Sequence, residues 1–170
     1  MNSTIAPFDN LDVRLALKYA INRQVMVDAI LSGHGVVAND NPIAPTNKYF
    51  DPSIPQRAYD PDKAKFHLSR AGMVELAVDI HVSDAAFGGA VDAAVLYSEQ
   101  AKAAGITLNV HREPADGYWS NVWMKKAWSA SYWGGQATAD LALSQAFASD
   151  AEWNEGFWKN KKFDALLVAA

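Results

Sequence analysis

The residues most able to make ligand chemistry are gathered at one end of the chain. All six tryptophans fall after residue 118: Trp119, Trp123, Trp128, Trp133, Trp153 and Trp158. An indole offers a large apolar face and one N–H donor. Trp133 stands out because Gly134 and Gly135 follow at once, with backbone amides that no side chain screens, and Gln136 comes next. Trp153 and Asn154 lie in a polar, irregular stretch where an indole has no helix or strand face to fill. That pair reads as an aromatic shelf beside a hydrogen-bonding amide. Trp119 and Trp123 are four residues apart on one expected helix and read as core.

Groupings that would carry catalysis do not emerge. The sequence has no G-x-S-x-G, H-E-x-x-H, P-loop or G-x-G-x-x-G pattern. His34, His67, His81 and His111 are isolated, none with a second His or a carboxylate at i+4. His81 and His111 could approach each other on neighbouring strands, but they read as partly exposed strand residues. His34, between Gly33 and Gly35, reads as a helix-end residue. Asp140, Asp150, Glu152 and Glu155 cluster only in sequence, which does not place two carboxylates across a cleft as glycoside hydrolysis requires. No catalytic residue, metal ligand or cofactor is therefore assigned. With no cysteine, a disulfide framework and thiolate chemistry are excluded.

The elements that must position these residues follow from periodicity and punctuation. Asp12 is the expected cap of a first helix whose inner face carries Val13, Leu17, Ala20 and Ile21. A second short helix is expected over Gln24–Leu31, stopped by Gly33. Five of the seven prolines lie between Pro42 and Pro61, so Ala38–Asp60 reads as a long surface loop. Asp60 and Pro61 then start a helix that ends at Gly72. A strand is expected over Leu76–Val82 and a helix from Gly88-Gly89 to Ala104, facing Val91, Ala94, Val95 and Ala101 inward. A strand over Ile106–Val110, a helix from Asp116 to Lys126 and a third strand over Ser129–Trp133 complete a β-α-β-α-β order. Such alternation implies an α/β fold with parallel strands. A short helix near Leu141–Phe147 and a final one reaching FDALLVAA follow.

The bulk properties set outer limits. The chain has 170 residues, 15 Lys+Arg against 19 Asp+Glu, and a formal charge of −4. Half of the residues are hydrophobic, which suits a folded core and excludes a disordered chain. The mild acidity argues against an electrostatic nucleic-acid partner. No run approaches the roughly 18–20 apolar residues of a membrane span. The start, MNSTIAPFDN, lacks the basic and apolar regions of a signal peptide, and the last helix has no stop residue. The chain is therefore expected to be a piece of a longer protein.

Several segments, in order, carry a family resemblance. PFDNLDVRLALKYAINRQVMVDAILSGHG (Pro7 to Gly35) resembles the P-F-D-n-x-x-V-R-x-A-x-x-Y-A-I-[DN]-R segment of extracytoplasmic solute-binding proteins of the peptide/nickel (family 5) class. Asn41-Pro42-Ile43 and Ala44-Pro45 resemble its proline-rich loop, and YDPDKAKFHLSRAG its Y-D-P-x-K-A helix. ITLNVHREPADGYWSNVW, SYWGG and WKNKKFDALLVAA are similar to its later segments. The resemblance implies a periplasmic-binding-protein-like lobe with a β-α-β-α-β core, flanking helices and a long proline-rich loop. Residues 1–170 would form a single lobe, truncated at its C-terminus, that closes on a ligand against the first lobe of the same chain.

It further implies a periplasmic, non-enzymatic component that passes a small solute, an oligopeptide or another polar molecule, to an ABC permease. The ligand-binding residues would be Trp133, Gly134, Gly135, Gln136, Trp153 and Asn154, with Asn39 on the rim of the proline-rich loop. Gln136 stands near the position where peptide binders of this family place an Asp for the peptide's α-amino group, and a neutral amide lacks that charge-assisted bond. An amide, a hydroxyl-rich solute or a modified peptide would suit it. The competing expectation is a carbohydrate-binding module, which would need two or three coplanar, exposed indoles on one face. A small hydrolase or metal enzyme would need a convergent His–carboxylate group.

Overall fold

The structure, a computed structural model, describes residues 1–38 and 40–169. Asn39, the expected rim residue, lies outside the described residues. In chain order the elements are α1 (Leu11–Tyr19), α2 (Arg23–Ile30), α3 (Pro61–Arg70), β1 (Leu76–Val82), α4 (Ala90–Lys102), β2 (Ile106–Arg112), α5 (Tyr118–Asn121), α6 (Ala139–Ala146) and α7 (Lys161–Ala169). The α/β class is as expected. Among the described residues no helix is long and apolar enough to cross a membrane.

Most helix starts are set by short polar side chains that accept from otherwise orphaned amides. Asn22 caps α2 through the Val25 N–H, and Asp60 caps α3 through the Lys63 N–H, with Pro61 at the first helical position. Thr138 caps α6 through the Leu141 N–H. Two expected caps are corrected. Asn10, not Asp12, caps α1 by accepting from the Asp12 N–H at 2.8 Å. Asp12 instead reaches α3, where its carboxylate lies 2.7 Å from His67 Nδ1 and 3.5 Å from Arg70 Nε. Asp116 does not cap α5: the cap residue is Gly117, in the left-handed region at φ 73°, and no side chain caps the helix. That left-handed backbone favours glycine, and a Cβ there would also push the Asn121 side-chain amide aside. The helix stops at Asn121, five residues short of the expected Lys126, and Met124 turns the chain at φ 55°.

β1 and β2 pair in parallel, with Leu76 opposite Ile106 and Val82 opposite Arg112. Leu76, Val78, Ile80 and Val82 point to one face, as strand alternation dictates, and are buried against Ile106, Leu108 and the helices. The expected third strand is reduced to one bridge, His81 to Ser129. The His81 N–H donates to the Trp128 carbonyl and the Ala130 N–H to the His81 carbonyl, each at 3.0 Å. The Ala130 carbonyl then accepts from the Tyr118 hydroxyl at 2.7 Å rather than from a strand, and the chain leaves the sheet.

The core joins α1, α3 and α4 to the inner sheet face. Val13, Leu17 and Ala20 of the first helical segment are fully buried, with Ala64 and Leu68 of α3. Burial of a leucine contributes roughly 1.5–3 kcal/mol, so Leu17 and Leu68 are principal anchors. The inner stripe of α4 is Ala90, Ala94, Tyr97 and Ala101, and its small residues let the helix lie close to the sheet. Val95, expected inward, is half exposed because it sits one step off that stripe. The Tyr97 hydroxyl crosses to α1 and donates to the Leu17 carbonyl at 2.6 Å.

Candidate ligand-binding site

Two hollows meet at the point where the chain leaves the sheet. The larger, about 700 Å³, lies between the loop from Val36 to Phe50 and the run from Trp133 to Phe147. The smaller, about 450 Å³, is walled by Trp119, Trp123, Tyr132, Trp133 and Trp153, with Gln136 and Gln145. Trp133, Gly134 and Gln136 line both and form the ridge between them. Gly135 lines the larger. A Cβ added at Gly134 or Gly135 would meet no atom within 4 Å, so bare backbone borders open space. The described residues lining the two hollows are all uncharged.

The loop over the larger hollow is held by a charge cluster on Asp40. Its carboxylate accepts from Arg23 Nη2 at 2.9 and 3.1 Å and from Arg57 Nη1 at 2.7 Å, with Lys18 Nζ at 3.8 Å. Burial is the main cause that pushes the Lys18 ammonium below its ordinary range; the neighbouring guanidinium groups add to it and Asp40 opposes it. The proline-rich segment is thus tied to α1 and α2 rather than trailing in solvent.

The indoles of the smaller hollow are fixed by Glu155. Its carboxylate accepts from Trp123 Nε1 and from Ser131 Oγ, each at 2.8 Å, and from Trp133 Nε1. One side chain therefore orients two walls of the hollow. The Glu155 loop is itself anchored, since the Ser3 N–H and hydroxyl both donate to the Gly156 carbonyl. Tyr118, beneath the rim, is buried, and desolvation pushes its phenol up to about 12.

The structure divides the expected site residues. Trp133, Gly134, Gly135, Gln136 and Trp153 come together at the hollows. Asn154 does not face them. It is buried, and its Nδ2 donates to the carbonyls of Ala148 and Trp158, so it braces the loop that presents Trp153. Trp119 and Trp123, expected in the core, instead wall the smaller hollow; Trp119 is 39% exposed. The core tryptophan is Trp128, packed edge-on against Phe8 and Tyr97. Sequence reading missed Glu155 and Gln145. The Gln145 Oε1 is buried without a partner and lines the smaller hollow. Glu155 is not announced by spacing because its partners are distant in sequence, and Gln145 lies on a helix whose spacing gives no hint that its side chain borders a hollow. The coplanar indoles that a carbohydrate platform needs are not formed: Trp119 and Trp123 are inclined at 74°, Trp133 and Trp153 at 57°.

The chain is thus an α/β fold with two aromatic hollows beyond the sheet, one of them walled by a long proline-rich loop. Comparison with known proteins makes this specific. The family described as bacterial extracellular solute-binding proteins, family 5 Middle, matches residues 1–155, and the chain belongs to it. Di/tripeptide-binding protein 1 of Pseudomonas aeruginosa is 43% identical over 74 residues, covering 44% of this chain and 14% of that protein. The glutathione-binding protein GsiB of Salmonella typhimurium is 31% identical over 185 residues, covering 100% of this chain and 35% of that protein. The periplasmic binding protein DppA from Helicobacter pylori, solved with the peptide STSA, superposes with a TM-score of 0.86 at 24% identity. That match covers 99% of this chain and 34% of DppA. The chain thus spans about a third or less of the length of these three relatives, and the carbohydrate-binding alternative is set aside.

Proposed function

We propose that this chain forms one lobe of a periplasmic, non-enzymatic solute-binding protein that captures a small peptide-like or other polar solute. The ligand sits between this lobe and a second one, is enclosed by hinge closure, and passes to an ABC permease. The observation that carries this reading is the Trp133-Gly134-Gly135-Gln136 ridge, where the chain has left the sheet, bordering two hollows of ligand size. Trp133 would supply an apolar face, the glycines close backbone approach, and Gln136 and Gln145 amide hydrogen bonds. Trp153 would close the far wall.

The uncharged lining favours ligand groups that need no counter-ion. A charge-assisted hydrogen bond contributes about 1.5–3 kcal/mol, or roughly 10–100-fold in affinity. The test is a tryptophan-fluorescence titration of the intact two-lobed protein with short peptides, free and N-acetylated. The expectation is that the two forms bind within about tenfold of each other and that Trp133→Ala abolishes binding while the fold survives. A much larger preference for the free amine would overturn the role given to Gln136. Unchanged binding by Trp133→Ala would overturn the site.

A further inference from the structure

The outer face of the sheet carries a polar cluster that the ligand hollows do not use. The parallel register sets His81 beside His111 and Asp79 beside Asn109. Side chains alternate along a strand, so Asp79 and His81 project opposite to the buried Val78, Ile80 and Val82. The two imidazoles stack 4.7 Å apart, inclined by only 15°. His81 Nδ1 lies 2.6 Å from Glu113 Oε1, and His111 Nε2 lies 3.2 Å from Asp79 Oδ1. Asn109 Nδ2 donates to the same Asp79 oxygen at 2.9 Å. One ligand atom from each of Asp79, His81 and His111 lies within 4.8 Å of the other two.

We propose that Asp79, His81 and His111 bind a divalent transition-metal ion such as Zn²⁺, bridging β1 and β2, with Glu113 as the positioning residue for His81. The donor set decides the class of metal. Two imidazoles and one carboxylate suit Zn²⁺, Ni²⁺ or Cu²⁺, whereas Mg²⁺ and Ca²⁺ take oxygen ligands. One edge of the site already has the required spacing. Bonds of about 2.0–2.1 Å place tetrahedral ligands about 3.4 Å apart, and the His111–Asp79 gap of 3.2 Å is already such an edge. His111 and Asp79 are both about half exposed, so a small rotation brings them together with His81.

The surrounding groups supply what such sites need. A metal-binding histidine characteristically donates its other ring N–H to a carboxylate, which fixes the tautomer and the ring plane. Glu113 occupies that place at His81 Nδ1 and leaves one nitrogen for the metal. Asn109 holds Asp79 in the same manner. Three protein ligands leave a position open to water. The ion would clamp both strands at the point where the Trp128–Ala130 segment docks on His81. Occupancy would therefore stabilise the fold by mass action.

The test uses the full chain without an oligohistidine tag, stripped by chelator and titrated with Zn²⁺ by calorimetry and Co²⁺ by visible absorption. The expected result is one equivalent of each, d–d bands for Co²⁺, a higher melting temperature with Zn²⁺, and no competition from Mg²⁺. His111→Ala should weaken Zn²⁺ at least tenfold, and Glu113→Gln about tenfold, the usual effect of removing an outer-shell partner. Metal-free His111→Ala should melt close to wild type, since the His111 ring is half exposed. Trp133→Ala should keep full metal affinity, which separates this site from the solute site. Failure to bind Zn²⁺ stoichiometrically overturns the proposal. So does binding that survives both His111→Ala and Asp79→Asn, because the ion would then sit elsewhere.

Discussion

Replacing Glu155 is the most direct probe of how the aromatic rim is built. The carboxylate accepts from three side chains: Oε2 takes the Trp123 N–H, and Oε1 takes both Ser131 Oγ and the Trp133 N–H. Glu155→Ala removes all three acceptor contacts. Trp133 is 40% exposed, so water replaces most of what its N–H loses. Trp123 and Ser131 are half-buried, and each lost bond there costs about 1–1.5 kcal/mol. The sum is about 2–3 kcal/mol, which for a chain of this length lowers the melting temperature by about 4–12 °C. Glu155→Gln should fall between wild type and Ala, because a carbonyl at the Oε1 position keeps two donors and only the Trp123 N–H faces an amide. Thermal unfolding followed by far-UV circular dichroism gives the ordering. Near-UV dichroism of the native state should lose indole intensity in Glu155→Ala. A Glu155→Ala protein that melts within about 1 °C of wild type, with its near-UV spectrum intact, would refute the claim that this carboxylate holds the rim.

Two further outcomes follow from charge and burial. Tyr118 has a folded-state pKa near 12, above its unfolded value of about 10, so its contribution is fully present below pH 10 and is lost as pH rises toward 12. Denaturant unfolding between pH 10 and 12 should show stability falling by up to about 1.4 kcal/mol per pH unit from this group, with a shallower slope in Tyr118→Phe; an identical slope would exclude the phenol. Buried Tyr97, its pKa also raised by desolvation, should leave part of the slope in place. Asp40→Asn should loosen the loop over the larger hollow, because it weakens the shared contact to Arg23 and Arg57. The partly exposed cluster contributes only about 1 kcal/mol globally, so limited proteolysis within residues 41–56, accelerated at nearly unchanged melting temperature, is the expected reading. An unaltered cleavage rate would mean that the Asp40 cluster does not hold the loop.

What depends on near neighbours along the chain was legible from the residues alone. The Leu76–Val82 strand, the Asp60-Pro61 helix start and the buried stripe of Val13, Leu17 and Ala20 are all local, written in alternation, capping chemistry and 3.6-residue spacing. The Trp133-Gly134-Gly135-Gln136 run was singled out for a local reason too, an aromatic residue followed by bare glycines, although the strand expected to end there is reduced to a bridge at Ser129. Tertiary structure decided the rest, because it turned on competition between distant partners. Asp12 was a fair cap by position, but Asn10 took the amide and α3 offered His67 and Arg70. Trp119 and Trp123 have the spacing of a buried face, yet the face they form borders a hollow rather than a helix. The third strand stops at one bridge, and the Ala130 carbonyl accepts from the Tyr118 hydroxyl instead. Glu155 meets Trp123 and Trp133 across 32 and 22 residues, and His81 meets Glu113 across 32. Hydrogen bonds over such separations leave no periodic trace in the chain, because only the folded register brings their donors and acceptors within about 3 Å.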